Sequence, residues 1–228
     1  GARMCNAYNL RHSTEAILDI ARAMQCPVTD LTDFPPLHRI GIRGRGLILR
    51  PAGEGPLVWS WARWSVIPPG VKEPSAYPLN NARSDKLGGW PWKGLSRQRC
   101  LIPVSGFWEP EKPARVPGSA PWSYYSMRDG RPFFVAGLWS DAPDPSTGEI
   151  ADSYTMVIGE ANAVMRVHDR MPAILGTEAA HRWLEPGPLP AELLVPYPAE
   201  AMQAWRVGDG AKNSRIEPHA GMAEPVAG

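Results

Sequence analysis

Residues 99–110 have the sequence Arg-Cys-Leu-Ile-Pro-Val-Ser-Gly-Phe-Trp-Glu-Pro. The apolar run at 100–104 predicts a short strand, and the Ser-Gly pair that follows indicates a break in it. Glu109 follows two large aromatic residues. A carboxylate at such a strand end can lose part of its solvent and become a better proton carrier. An exposed loop glutamate explains the same pattern, so Glu109 is a candidate acid–base residue only.

Further strands are predicted on both sides of this stretch. They are short apolar, β-branched or aromatic runs bounded by Gly, Asp and Pro, and they cover 47–49, 64–67, 132–139 and 154–158. These strands follow one another without regular helical crossovers. The sequence therefore predicts an antiparallel α+β domain rather than a doubly wound one.

Helices are predicted at the flanks. Ser13 or Thr14 can cap a helix whose apolar residues recur at helical spacing and which ends before Pro27. Thr177 can cap a second, short helix, and residues 199–205 are predicted to form a third. We find no internal repeat and neither a GxGxxG nor a P-loop pattern.

Composition narrows the class of protein. The 228 residues are 43% hydrophobic and 21% charged, which is typical of a globular chain that can bury one core. No apolar run approaches the roughly 18 residues needed to span a bilayer, and no signal peptide precedes the domain, so we expect a cytoplasmic protein without a membrane partner. A net charge of +1 offers no general field for nucleic acid, so any such binding requires a local groove.

Cys5, Cys26 and Cys100 are the three cysteines, an odd number without CxxC spacing. This pattern argues against a disulfide framework, and the histidines show no metal-ligand spacing, so we expect neither a metal nor a cofactor. Cys5 directly follows Met4, and removal of the preceding residues would give it a free α-amine. An amine and a thiol on one residue can condense with an aldehyde to form a thiazolidine ring, although many cytosolic proteins carry an inert cysteine near their start.

Other polar residues are candidates for binding or proton transfer. His168 ends an apolar stretch and could be a general acid or base, or a structural histidine. Asn81 and Arg83 lie in a turn-compatible segment, where the guanidinium could hold a phosphate bidentately. Arg63, Trp64 and Lys93 belong to stretches that interleave tryptophan with cations. Such stretches suit either single-stranded nucleic acid or a packed core.

Taken in order, five segments of the chain resemble the SRAP family, the SOS-response-associated peptidase-like proteins that include abasic-site DNA–protein crosslinkers. The segments are Met4-Cys5-Asn6, RWSVIPP from Arg63, NNARSDKL from Asn80, RCLIPVSGFWEP from Arg99 with FFVAGLWS from Phe133, and ANAVMRVHDRMPAIL from Ala161. The resemblance covers 4–215, which we expect to be one domain. It leaves 1–3 as an expression-tag remnant and 216–228 as a polar tail.

The resemblance implies a single α+β domain with a barrel-like sheet and a positively charged groove for single-stranded DNA containing abasic sites. It implies that Cys5 is the N-terminal nucleophile, that Asn81 and Glu109 line the site and that His168 is the acid–base partner. Arg83 resembles the phosphate-binding arginine of the family. We expect a monomer.

This chain departs from the family pattern at two places. Many members continue Met-Cys-Gly-Arg, whereas here Asn6 and Ala7 follow Cys5, so a basic contact next to the nucleophile is missing. Pro110 follows Glu109 where an aromatic residue is commoner. Two alternatives from other classes stay open: a cysteine peptidase or amidohydrolase that uses Cys5, His168 and Asn81, and a non-covalent binder of single-stranded nucleic acid.

Overall fold

A computed structural model describes residues 6–111 and 120–226 of the chain. In this part the chain forms two sheets and two α-helices, with short 3-10 turns between them. The strands, in chain order, are β1 (Ala7–Leu10), β2 (Leu37–Gly41), β3 (Arg45–Arg50), β4 (Val58–Trp64), β5 (Asn81–Arg83), β6 (Arg99–Val104), β7 (Gly106–Pro110), β8 (Trp122–Met127), β9 (Phe133–Ser140), β10 (Ser153–Glu160), β11 (Arg170–Pro172), β12 (Ile174–Leu175) and β13 (Met202–Val207).

The larger sheet closes on itself. Strand β10 pairs with β4 on one edge and with β9 on the other, and the path from β9 through β6 and β3 returns to β4. Five strands thus form a ring, to which β5, β11 and β12 are added. Every pairing in this sheet is antiparallel except those of β10 with β4 and with β5. The barrel-like, mostly antiparallel α+β fold predicted from the sequence is confirmed.

The second sheet has the strand order β13-β8-β7-β1-β2 and is antiparallel throughout. Alternate side chains of its strands pack against the ring in the largest apolar cluster, which includes Tyr8, Phe107 and Tyr125 from this sheet and Trp64 and Met156 from the ring. Burying these large side chains is the main favourable contribution to folding.

Two of the three helices predicted from the sequence form in the structure. Helix α1 (Thr14–Arg22) begins at Ser13, whose hydroxyl accepts a hydrogen bond from the Ala16 amide. Helix α2 (Thr177–Leu184) has Gly176 rather than Thr177 at its N-cap. The third predicted helix is wrong, because residues 202–207 form β13, whose pairing with β8 outweighs the local helical pattern. In the part of the chain described, no helix is long and apolar enough to cross a bilayer.

Arg99 fastens α2 to the ring. Its guanidinium is buried and donates hydrogen bonds to four carbonyl oxygens, at 2.6 Å to that of Trp183, 2.5 Å to that of Ser96 and 3.2 Å to that of Gly187, and also to that of Glu185. Three of these carbonyls, those of Trp183, Glu185 and Gly187, lie at the end of α2 and just beyond it, where helical carbonyls lack internal partners. That of Ser96 follows the 3-10 turn Trp92–Leu95. One charged side chain therefore satisfies the helix terminus and joins it to β6.

Two sequence-based boundaries differ from the structure. The strand predicted at 64–67 ends at Trp64, because β4 begins earlier, at Val58. Residues assigned to a polar tail pack on the domain. Met222 and Ala223 are buried against Ala7 and Trp108, and the Trp108 indole donates to the Met222 carbonyl at 3.1 Å.

Candidate active site

A buried carboxylate and imidazole meet at the end of β7. The Glu109 side chain is fully buried and that of His168 is 1% exposed, and His168 Nε2 lies 3.7 Å from Glu109 Oε2. The same nitrogen is 2.9 Å from the carbonyl oxygen of Pro110. Because a carbonyl can only accept, Nε2 carries a hydrogen, and in the neutral ring the lone pair is on Nδ1. The structure thus brings together two of the predicted acid–base residues.

Strand alternation explains why Glu109 is buried. Successive side chains of β7 point to opposite faces, so Glu109 shares the core-facing side with Phe107, while Trp108 packs with Ala7 on the other face. Glu109 lies opposite Ser123 on β8. Burial and the carboxylate of Glu109 raise the pKa of Tyr125 to about 12, in that order of size, so this neighbouring phenol stays protonated at neutral pH.

Strand β1 begins beside this pair. Ala7 lies opposite Trp108 and Asn9 opposite Gly106, so the antiparallel pairing brings the amino end of β1 to the end of β7 that carries Glu109. Asn6, the first residue described, is half-buried. Cys5 lies outside the described residues and is joined to Asn6 by one peptide bond. Its predicted role as the nucleophile remains a prediction.

Asn81 is placed by β5, the short strand that runs parallel to β10. It lies opposite Met156 and is half-buried. The carbonyl of the preceding residue, Asn80, accepts hydrogen bonds from the Trp64 indole at 2.8 Å and from the Met156 amide at 2.9 Å. These two bonds fix the backbone from which the Asn81 side chain projects.

Of the two roles left open for Trp64, base stacking and core packing, the structure places it in the core. Its side chain is completely buried in the main core, where it holds the Asn80 carbonyl and contacts the Tyr8 ring edge-on at 5.1 Å. A buried ring offers no face to an unpaired base. The Tyr8 hydroxyl is hydrogen-bonded to that of Tyr154 on β10, so a chain of contacts links the strand next to Cys5 with β10, beside which Asn81 lies.

Two arginines that lie two residues after Asn81 and His168, Arg83 and Arg170, share one carboxylate. Arg83 contacts Asp85 bidentately, with Nε at 3.0 Å and Nη2 at 2.8 Å from its oxygens, and Arg170 Nη2 lies 3.5 Å from the same carboxylate. Hydrogen bonding from Arg83 lowers the pKa of Asp85. Asp169 also acts on the charge of Arg83. The two cations are thus offset by two carboxylates, and a phosphate would have to replace a carboxylate as the partner of the exposed Arg83 guanidinium.

Sequence reasoning missed Arg170. The sequence feature that could have identified Arg170 is its position two residues after His168, in His-Asp-Arg.

The other predicted DNA contacts lie elsewhere. Arg63 is directed to the opposite face of β4 from Trp64 and pairs with Asp144 at 2.9 Å. Lys93 is exposed on the 3-10 turn Trp92–Leu95, which packs on the outer face of the ring. Within 6–111 and 120–226, neither residue forms an ion pair with the carboxylate that Arg83 and Arg170 share. Their roles in DNA binding remain predictions.

Neither cysteine of the described chain is suited to nucleophilic chemistry. Cys100 is fully buried, and burial raises the pKa of its thiol far above the usual range. Burial also raises the pKa of the Cys26 thiol. Since the thiolate is the reactive form, both side chains are expected to be inert at neutral pH. Within the residues that the structure describes, no three His, Cys, Asp or Glu side chains are grouped to hold a metal ion.

The fold and the site define an α+β protein in which the buried Glu109–His168 pair lies at the end of β7, beside the start of β1. Arg170, one of the two arginines that share Asp85, follows His168 by two residues. Comparison with known proteins agrees with this description. The family model for SOS response associated peptidases (SRAP) matches residues 4–214, and the chain belongs to this family.

Relatives and solved structures show the extent of the likeness. The chain is 32% identical over 160 residues to the abasic site processing protein YoqW of Bacillus subtilis, covering 64% of this chain and 67% of the relative. It is 30% identical to the abasic site processing protein HMCES of Xenopus tropicalis over 67% of this chain, but spans only 53% of that relative. A crystal structure of a Bacteroides thetaiotaomicron protein shares the fold, with a TM-score of 0.77 and 22% identity over 98% of this chain and 100% of the other. One from Bordetella bronchiseptica has a TM-score of 0.69 and 28% identity over 90% of this chain and 100% of the other.

Proposed function

We propose that this protein recognises abasic sites in single-stranded DNA and forms a covalent crosslink through Cys5, once the residues before Cys5 have been removed. The observation that carries the proposal is the buried Glu109–His168 pair at the end of β7, next to the strand that begins two residues after Cys5. Relatives named abasic site processing proteins, from a bacterium and a vertebrate, support the choice of substrate.

The chemistry needs an amine, an aldehyde and a thiol. The α-amine of Cys5, partly unprotonated near pH 8, attacks C1′ of the ring-opened abasic sugar and gives a carbinolamine. Loss of water leaves an imine. The thiolate of the same residue then adds to the imine carbon, and the nitrogen takes up a proton. The product is a thiazolidine ring, and one water is released for each crosslink.

Proton transfers are assigned to the buried pair. As the sugar ring opens, His168 protonates the ring oxygen and Glu109 takes the proton of the C1′ hydroxyl. Glu109 then takes a proton from the attacking amine, and His168 protonates the carbinolamine hydroxyl, which departs as water. Transfer between the two side chains, 3.7 Å apart, returns the proton to His168 after each stage. Asn81, whose backbone is fixed through Asn80, orients the sugar by hydrogen bonding. Arg83 and Arg170 hold a phosphate next to the reacting nucleotide.

The same groups support an earlier hydrolytic step. The Cys5 thiol attacks the carbonyl of the preceding residue, and water then releases that segment as a free acid, which leaves the Cys5 amine exposed. Glu109 and His168 would transfer the protons of both stages. This self-processing is the autopeptidase part of the proposal.

The test is intact-mass analysis after incubation with an abasic single strand. The parent chain is expected to lose the residues before Cys5 and to gain the mass of the oligonucleotide less one water. Cys5→Ala should do neither, whereas the control Cys26→Ser should behave as the parent. A chain that retains Gly1 and still forms the same stable adduct would refute the aminothiol mechanism. Unaltered activity of Cys5→Ala on nucleic acid would favour the non-covalent binder.

The phosphate contacts have their own test. Binding of Cys5→Ala to an abasic strand should weaken with salt, because cations displace counterions from phosphates with a slope of about −0.7 for each phosphate neutralised. Adding Arg83→Ala or Arg170→Ala should reduce the steepness by about one such contact, and Arg97→Ala, at an exposed site elsewhere, should not. Salt-independent binding would contradict the assignment.

A further inference from the structure

Arg39 on β2 is a half-buried cation without a counter-charge. Within 6–111 and 120–226 it forms no ion pair, and its Nε is buried without a hydrogen-bond partner. Burial lowers the pKa of the guanidinium, which still carries its charge at neutral pH. Taking a charge out of water is costly unless the charge is paired. The side chain is therefore available to an anionic ligand.

The guanidinium extends along β2 toward the amino end of β1. Its Nη1 lies 3.3 Å, and its Cζ 3.8 Å, from the position that a Cβ on Gly41 would occupy. Gly41 lies opposite Ala7 in the antiparallel pair of β1 and β2. Residues that lie opposite each other, and residues two apart on one strand, share a face of the sheet. The charge of Arg39 is thus held on the Ala7 face, beside the residue two positions after Cys5.

The residues at positions 7 and 41 allow this course of the side chain. Any side chain at position 41 would begin where the Arg39 guanidinium lies, and glycine leaves that space open. Ala7 is fully buried in a cluster with Trp108 and Met222. A long side chain at position 7 would displace these packed residues. The fold thus disfavours a basic side chain at position 7 and admits one from β2.

The missing basic residue next to Cys5 therefore has a counterpart in the structure. Many family members have an arginine at the position of Ala7, and Arg39 brings a guanidinium to the same face of the sheet at the pair of Ala7 and Gly41. The next arginine along the chain, Arg43, lies beyond the end of β2 and lines a cavity of about 290 Å³ instead. Of these two arginines, Arg39 is the one directed along β2 to the start of β1.

We propose that Arg39 binds a phosphate of the substrate strand next to the reacting nucleotide, and so supplies from β2 the basic contact that this chain lacks on β1. The inference rests on the proposed function, since it adds a residue to the same site. A guanidinium can donate two parallel hydrogen bonds to one phosphate, and partial burial strengthens such bonds. The contact therefore requires an arginine held in place, and a positive charge alone is not sufficient.

The test measures the affinity of the Cys5→Ala protein, which cannot crosslink, for single strands that carry a stable tetrahydrofuran analogue of the abasic site. In each strand of a series, one phosphate near the analogue is replaced by a neutral methylphosphonate. We expect one such replacement to weaken binding about tenfold or more, and to have little further effect once Arg39→Gln is added. Arg97→Gln, at an exposed site, should leave the effect of every replacement unchanged. If no replacement loses its effect in Arg39→Gln, the proposal is overturned.

A second variant moves the guanidinium and keeps its charge. Gly41→Leu places a side chain where the Arg39 guanidinium lies, so it should remove the effect of the same methylphosphonate as Arg39→Gln does. Gly55→Leu adds the same bulk in open space and should not. Arg39→Lys should keep the salt dependence of binding and lose most of the tenfold effect, because an ammonium group lacks the paired donors. Parent-like effects of every replacement in Gly41→Leu would contradict a positioned contact.

Three outcomes separate this inference from its alternatives. If Arg39→Gln lowers Tm and weakens the binding of every strand equally, the residue only packs and the phosphate contact is refuted. If Arg39→Gln leaves all affinities unchanged but slows removal of the residues before Cys5, the guanidinium acts on the scissile carbonyl, and the phosphate contact is again refuted. If one methylphosphonate depends on Arg39 as expected but the chain with Cys5 never crosslinks natural abasic DNA, the proposed function fails while the assignment of Arg39 stands.

Discussion

Replacing Glu109 and His168 by glutamine, singly and together, distinguishes proton transfer from mere packing. Glu109→Gln keeps the shape of a fully buried side chain and removes its charge. His168→Gln can still place an amide N–H near the Pro110 carbonyl, which the imidazole contacts at 2.9 Å, but cannot exchange a proton at neutral pH. Both changes therefore remove acid–base chemistry and retain most of the packing.

The size of the expected effect follows from these contacts. Loss or weakening of one hydrogen bond to a neutral carbonyl costs about 1 kcal/mol, which corresponds to a rate change of about fivefold if the bond is made only in the transition state. A positioned acid or base contributes about 10²–10⁴-fold. We therefore expect each single variant to form the adduct at least about 100-fold more slowly. Residues that act as a unit are strongly non-additive, so the double variant should be about as slow as the slower single one.

The assay is single-turnover adduct formation on an abasic single strand at saturating protein, with Tm and DNA affinity measured in parallel. The slow rates should appear without a matching loss of affinity. Rates within about fivefold of the parent for both single variants would show that the pair only packs. Fully multiplicative effects in the double variant would show that the two groups act in separate steps.

Three further outcomes concern stability. Gly46→Ala should reduce the free energy of unfolding by about 1–3 kcal/mol, because the added Cβ would lie under 3.0 Å from the paired hydroxyls of two buried tyrosines. Gly55→Ala, which adds a Cβ in open space, is the control. Equal Tm values for the two variants would contradict this packing. Arg99→Met should cost at least about 3 kcal/mol, or about 6–12 °C in Tm, since it leaves four carbonyls without their donor, whereas Arg97→Met should have little effect. Burial lowers the pKa of His12, so the unfolded chain binds a proton at this side chain more readily than the folded chain does. The free energy of unfolding that neutral His12 contributes is therefore present above about pH 6.5 and is lost as the pH falls. Tm curves of the parent and of His12→Gln that stay parallel from pH 8 to 5 would refute this.

Local sequence was sufficient where local interactions decide the structure. The helix beginning at Ser13 and the strand predicted at 100–104 were both found, because a cap and a short apolar run act within a few residues. The segment 199–205 has the composition of a helix, yet only a 3-10 turn forms at 199–201, and from Met202 the chain is a strand because β8 offers β13 six paired positions. Such a partner is remote in sequence, and propensity alone cannot reveal it.

The candidate site shows the same limit more clearly. Asn81, Glu109 and His168 come from three separate segments, and only the likeness to a family could group them before the structure was known. Trp64 and Arg63 are neighbours with a similar apparent role, but strand alternation buries the first and turns the second toward Asp144. Sequence composition does not state which face of a strand is covered, so it could not separate a core tryptophan from an exposed one.

The packing of Met222 and Ala223 against Ala7 has a consequence for the order of assembly. Strand β1 is held by side chains more than 200 positions later in the chain, so its final placement depends on contacts of very large sequence separation. Such contacts form late, because the cost of closing a long loop must be met first. Truncation or a bulky fusion at the carboxyl end is thus expected to disturb chemistry at the amino end. A chain without Met222 and Ala223 would lose these contacts to Ala7. Under the proposed function, it would react more slowly with an abasic aldehyde than the parent.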